Sequence, residues 1–164
     1  MLKENHPLAR WRYPLFFLVA LFIIGADQTS KAWIRASLPE GHSLFRLGFF
    51  RITHVHNTGA AFGLFPEKSL LLTIFAIIAA SVVLFFVLYG HRYVLWLESI
   101  SVTLTFGLVL GGTVGNLIDR FRFGYVTDFI DFGYWPVFNI ADSAVTIGVI
   151  LFALLLLRHA QTEK

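Results

Sequence analysis

The chain has 164 residues, of which 57% are apolar and only 14% charged, with a formal charge of +3 and no cysteine. The missing cysteines exclude disulfides, thiolate metal sites and a cysteine nucleophile together, and a mean hydropathy of +0.72 excludes an ordinary soluble domain. The basic residues flank apolar runs instead of forming a patch, so nucleic acid is not an expected partner.

The first apolar run, Pro14–Trp33, is long enough to cross a bilayer, which takes about 20 residues. A basic tail before Leu15–Ile24 imitates a secretory leader. The polar run Asp27–Lys31 and three further spans argue instead for a retained signal anchor. The segment that follows, about Ala36 to Ser69, is too long for a simple turn. Within it, Leu44–Val55 is rich in Phe, Ile, Thr and Val around Gly48, which predicts a small antiparallel sheet. Next comes Asn57–Thr58–Gly59–Ala60–Ala61–Phe62, small enough to let a peptide backbone approach, or else an ordinary loop.

The second span is Leu70–Tyr89, and a tight turn containing Arg92 leads to the third, Val94–Val114, with Glu98 near its start. Gly107, Gly111 and Gly115 recur every four residues, a surface for close helix packing that holds Asn116 and Asp119 near neighbouring helices. Asp119–Arg120 at the span's end is either an interfacial ion pair or a grip on a carbonyl or lipid phosphate. Asp128 and Asp131 then precede the fourth span, Phe138–Leu157, which carries Asn139 and Asp142 at its start. The predicted fold is a single all-α membrane domain over 1–164: a four-transmembrane-helix bundle with a small extracytoplasmic antiparallel sheet in the first outer loop.

Four spans put both termini on one side. Lys3, Arg10, Arg12, Arg92 and Arg158 crowd the span ends there. Lys31, Arg35, Arg46, Arg51, Lys68, Arg120 and Arg122 are spread over far more chain on the other side. Density therefore favours cytoplasmic termini. With that topology Asp27, Asn57, Asn116, Asp119, Arg120, Asp128, Asn139 and Asp142 all fall at the outer face, and only Glu98 sits at the other end. At 1.5 Å per residue Asp27 lies roughly 20 Å beyond Pro14, and Asp142 about one helical turn below the outer surface.

A carboxylate near hydrocarbon is costly unless it is paired, solvated or protonated, which makes it a functional residue by default. Two that approach each other can share one proton, so that one polarises a carbonyl while the other activates water. Asp128 and Asp142 are the candidate pair, with Asp131 as an alternative partner. The same acids would also serve a proton-coupled transporter, and an alternative for Asp142 is a plain cap on the fourth span. Ser30–Lys31 and Lys68–Ser69 are poor serine–lysine pairs, because sequence neighbours do not face each other on a helix. His54 and His56, two apart on a strand, lack a third metal ligand and read as solvated residues.

Five blocks in order resemble the bacterial lipoprotein signal peptidases, or signal peptidase II. They are Asp27–Gln28–Thr29–Ser30–Lys31, Asn57 to Phe62, Gly111 to Arg120, Val126–Thr127–Asp128–Phe129, and Phe138 to Ser143. The resemblance implies a four-helix inner-membrane aspartyl endopeptidase with a small periplasmic sheet. Such an enzyme removes the signal peptide of diacylglyceryl-modified prolipoproteins, cutting just before the lipidated cysteine. On that basis Asp128 and Asp142 are the expected catalytic dyad, and Asn57, Gly59, Asn116, Asp119, Arg120 and Asn139 support it. Asp27 belongs to a family block with a less settled role. The family requires no metal or other cofactor, and globomycin-type peptides are its expected inhibitors.

Overall fold

The computed structural model describes residues 11–59, 68–90 and 93–162. Four helices, α1 (Arg12–Ser37), α2 (Lys68–Leu88), α3 (Ile100–Phe123) and α4 (Ile140–Thr162), are each long and apolar enough to cross a membrane. Large apolar side chains on α1, α2 and α4 point outward, among them Phe22, Phe75, Ile78, Ile150 and Leu154. That is inverted for a water-soluble bundle and ordinary for one solvated by lipid. Helix α3 is the exception: 67% of its most apolar window is buried, against 22%, 17% and 17% for the others. It is the central post against which the other three pack.

Glycine explains how it gets so close to them. Lipid tails are as apolar as leucine, so helices in a membrane associate through tight packing, which small residues permit. The predicted stripe of Gly107, Gly111 and Gly115 lies along α1: a methyl at Gly111 would sit 2.8 Å from the Ala20 carbonyl, and one at Gly115 would sit 2.7 Å from Asp27 Oδ2. Gly112, one residue round, abuts the Ala141 backbone of α4. Larger side chains fill the far end, where Phe16, Ala20, Val83, Val87, Val102, Phe106 and Leu110 form the apolar core. Arg12 seals that end through the Val87 carbonyl at 2.8 Å and Glu98 at 3.6 Å.

The third span is displaced from its predicted position. Val94–Val114 was expected, whereas α3 starts at Ile100 and runs nine residues further than anticipated, to Phe123. Residues 95–98 form a separate 3-10 turn, whose Trp96 and Leu97 pack on the core, and Ser99 caps α3 by accepting from the Val102 N–H. The helix stops at Gly124, whose φ of 79° suits a left-handed cap. Asn116, Asp119 and Arg120 are therefore inside the helix, on its last turns, and not beyond its end.

The sheet also gains a strand. β1 (Ser43–Leu47) and β2 (Phe50–Asn57) form the expected hairpin in the first outer loop, but β3 (Val126–Asp131), from between α3 and α4, pairs antiparallel with β2. Ile130 bridges onward to Phe138. In the order β1-β2-β3 the middle strand is β2, and β3 lies against α1 and α3, with Val126, Thr127, Asp128 and Phe129 all buried.

Candidate active site

Asp142 sits in the first turn of α4, and what holds it there is a reciprocal cap. Asn139, the residue before the helix, accepts from the Asp142 N–H through Oδ1 at 2.9 Å, and Asp142 Oδ2 accepts from the Asn139 N–H at 3.3 Å. This is the capping-box arrangement, with Asp in place of Glu. A third end-of-helix donor, the Ala141 N–H, goes to Asp27 Oδ1 of α1 at 3.0 Å. The alternative that Asp142 caps its own helix is thus right, but capping occupies one oxygen. Oδ1 accepts from Asn116 Nδ2 at 2.7 Å.

Three asparagines join the two acids, and their orientations follow from their neighbours. Asn139 spends its oxygen on the cap, so Nδ2 is what reaches Asp128 Oδ1 at 2.6 Å and Asn116 Oδ1 at 3.1 Å. Asn116 Oδ1 also accepts from Lys31 Nζ at 2.8 Å, leaving its Nδ2 for Asp142. Asn57 Oδ1 accepts from the Gly59 N–H at 2.7 Å, so its Nδ2 donates to Asp128 Oδ2 at 2.8 Å. Gly59, at φ 78°, lies in a backbone region that favours glycine. Asp128 and Asp142 therefore share one hydrogen-bonded cluster, fed from α3, β2 and the start of α4. Ala60, Ala61 and Phe62, like Lys3, Arg10 and Arg92, lie outside the described residues.

Asp128 is 1% exposed. Burial, and after it the nearby charge of Asp142, pushes its carboxyl up to about 7 from an ordinary 3.8, against the pull of the Asn57 and Asn139 amides. Asp142 is more open. It lines two recesses of about 350 Å³ each, one with Leu72, Phe75, Asn116 and Arg120 between α2, α3 and α4, the other with Trp135, Phe138 and Ile147. Among the described residues Arg120 pairs with no carboxylate, so its guanidinium is available in the first recess beside Asp142. Of the two readings its sequence allowed, the ion pair with Asp119 is absent.

Asp119 is not an interfacial partner of Arg120. It is fully buried and meets Lys31 Nζ at 3.3 Å and Arg35 Nη1 at 3.5 Å, while Oδ2 accepts from the Thr127 N–H at 2.9 Å. Lys31 also pairs with Asp27 at 2.9 Å, both side chains being wholly buried. Gln28 closes the group with bonds to Asp27, Asp119 and the Gly115 carbonyl. Lys31 is the main residue whose role sequence reading missed, since the sequence marks it as part of a retained polar run and a poor partner for Ser30 but not as a counter-ion. The signal was present: a lysine inside a span, one helical turn after an aspartate. Asp27 gains a defined place here, neutralising Lys31 and tying α1 to the start of α4.

Asp131 does not join the cluster. It bonds Arg51 Nη2 at 2.9 Å, Thr53 Oγ1 at 2.9 Å and the Gly133 N–H at 2.7 Å, at the other end of β3. Burial would raise its carboxyl, but Gly133, Arg51 and Thr53 outweigh that and hold it below the usual range. His54 is buried with Nδ1 on the Leu38 carbonyl at 2.7 Å, and His56 pairs with Glu40 at 3.0 Å and stacks on Tyr125. His54 is thus not the solvated residue expected. Among the described residues no group of three or more such side chains forms a metal site.

A multi-pass membrane protein with polar side chains from three helices and a small sheet gathered at one end is the class these features define. The chain belongs to the signal peptidase II family: the family profile, described as Signal peptidase (SPase) II, matches residues 19–158. A lipoprotein signal peptidase of Moorella thermoacetica is 44% identical over 146 residues, covering 88% of this chain and 94% of that protein. Another, from Syntrophomonas wolfei, is 47% identical over 147 residues, covering 88% and 93%. A solved structure described as a bacterial membrane enzyme superposes with a TM-score of 0.77 at 36% identity, covering 91% of each chain. Membership makes this chain a protease of lipoprotein processing.

Proposed function

We propose that the chain is an aspartyl endopeptidase that removes the signal peptide from prolipoproteins, cutting before the diacylglyceryl-modified cysteine, with Asp128 and Asp142 as its catalytic pair. The single observation that carries this reading is the asparagine cluster joining the two acids at the mouth of an apolar-walled recess. Asp128, pushed up to about 7, is the member that keeps a proton near neutrality. Asp142, reachable from both recesses, is the carboxylate that takes a proton from water.

The chemistry balances without a covalent intermediate. Water adds to the scissile carbonyl carbon, its proton passing to Asp142 while Asp128 delivers a proton to the carbonyl oxygen. The tetrahedral diol collapses, the C–N bond breaks, and the proton on Asp142 leaves on the amine of the cysteine. The hydroxyl that Asp128 protonated returns that proton as the carboxyl product forms. Arg120 and Asn116, beside Asp142, hold the polar peptide, and developing negative charge on its oxygen suits a guanidinium. Phe75 and Leu72 wall the same recess and suit acyl or signal-peptide side chains. An active site one turn into α4 meets a lipidated cysteine at the outer leaflet without extracting its acyl chains. The reading carries with it an inner-membrane location, cytoplasmic termini, a periplasm-facing site and inhibition by globomycin-type peptides.

The test is cleavage of a purified diacylated precursor, followed by gel shift. Asp128→Asn and Asp142→Asn are each expected to lower the rate by at least about 10²-fold, the low end for lost acid–base catalysis. Asp131→Asn is expected to keep most activity. Near wild-type cleavage by either dyad variant sinks the mechanism, and solute or proton flux without proteolysis would favour the transporter.

A further inference from the structure

The register of the hairpin sets Arg46 of β1 directly opposite Arg51 of β2. Like charges facing each other across a strand pair are destabilising, so the pairing needs a reason. Arg51 is partly answered by Asp131, 2.9 Å from Nη2, yet its Nε is buried and has no hydrogen-bond partner among the described residues. Arg46 is exposed, its Nε reaching only the Gly48 carbonyl at 3.4 Å, and it meets no carboxylate among the described residues. Asp131 is already engaged, its oxygens also accepting from the Gly133 N–H and Thr53 Oγ1. Two guanidiniums against one carboxylate leave one positive charge over.

That charge borders a recess of about 360 Å³ lined by Arg46, Phe49, Arg51, Phe132, Gly133 and Tyr134. Its aromatic wall is continuous, with Phe49 at 6.1 Å from Phe132 and 6.2 Å from Tyr134 between ring centres. Leu47, Phe49, Tyr134 and Trp135 are all strongly exposed. Trp135 in turn borders Ile147, where the outward apolar face of α4 begins. Exposed aromatic residues at the end of a span mark the headgroup level of a bilayer. Arginine at that level, with its planar fork and weak hydration, favours bidentate phosphate binding.

We infer that the Arg46–Arg51 recess seats the phosphate of an anionic phospholipid headgroup and thereby fixes the sheet on the membrane surface. An anionic lipid fits better than a zwitterionic one, because a choline or ethanolamine cation would meet two guanidiniums where one charge is already uncompensated. The inference uses none of the groups assigned to catalysis and stands or falls separately from it.

The test is native mass spectrometry of the purified full chain with phosphatidylglycerol or phosphatidylcholine, alongside thermal unfolding with inorganic phosphate alone. Wild type is expected to retain phosphatidylglycerol in preference to phosphatidylcholine. Arg46→Gln should lose about fivefold of that retention, the effect of one basic residue at a charged surface, and Arg46→Lys should keep more of it than Gln does. Equal retention of the two lipids, or undiminished phosphatidylglycerol retention in Arg46→Gln, would overturn the assignment. So would inorganic phosphate stabilising the protein as much as phosphatidylglycerol, since the ligand would then be a free ion and not a lipid.

Discussion

Replacing Lys31 by Met tests whether the buried charges hold the site together. Lys31, Asp27 and Asp119 are each 0% exposed, and the ammonium meets the two carboxylates at 2.9 and 3.3 Å. Without it, Arg35 at 3.5 Å still pairs with Asp119, and among the described residues Asp27 keeps no cation. Breaking a buried pair by removing one partner costs about 3–5 kcal/mol, because the remaining charge is left uncompensated. The expected loss is in that range, read from unfolding in detergent. A second change separates charge from packing. Asp27→Asn in the Lys31→Met background leaves Asp119 opposite Arg35 and keeps an oxygen for the Ala141 N–H. It should restore about 1–3 kcal/mol as a coupling energy. Activity adds an independent readout: Lys31 donates to Asn116, whose amide binds Asp142, so the folded fraction of Lys31→Met should show a lowered kcat. A loss below about 1 kcal/mol, or strict additivity of the two changes, would refute the charge argument.

Asp128 should leave a pH signature. Its carboxyl is raised from 3.8 to about 7 in the fold, so between those values the folded protein holds a proton that the unfolded chain has released. Stability is then highest at low pH and falls as pH rises through that window, by at most about 4 kcal/mol from this group. Asp128→Asn should flatten the trend in a pH series of unfolding midpoints, and kcat/KM of the wild type should decline above about pH 7. Gly112→Ala is expected to destabilise by about 1–3 kcal/mol, because its methyl would meet the Ala141 backbone. It should also lower cleavage, since that contact sets where the α4 start and Asp142 lie. An unfolding midpoint equal to wild type would show that the α3–α4 contact has room for a methyl.

Hydropathy alone determined the four spans, because about 20 apolar residues have no other inexpensive solvent than lipid. The same chain, read by side, sorted its unusual polar residues to one face, and five blocks in order pointed to the family. What periodicity could not supply was the start of α3. Apolarity runs through 94–97 without a break, and only the packing of Trp96 and Leu97 on the core shows that the helix has not begun. Nor could it supply β3, whose pairing with β2 joins residues some 70 positions apart. Asp128 and Asp131 are equivalent as letters. Tertiary structure separates them, sending one to Asn139 and Asn57 and the other to Arg51. Lys31 was legible as a costly residue but not as a shared counter-ion. A buried charge is stabilised by whatever surrounds it in space, and its second partner, Asp119, arrives on a different helix.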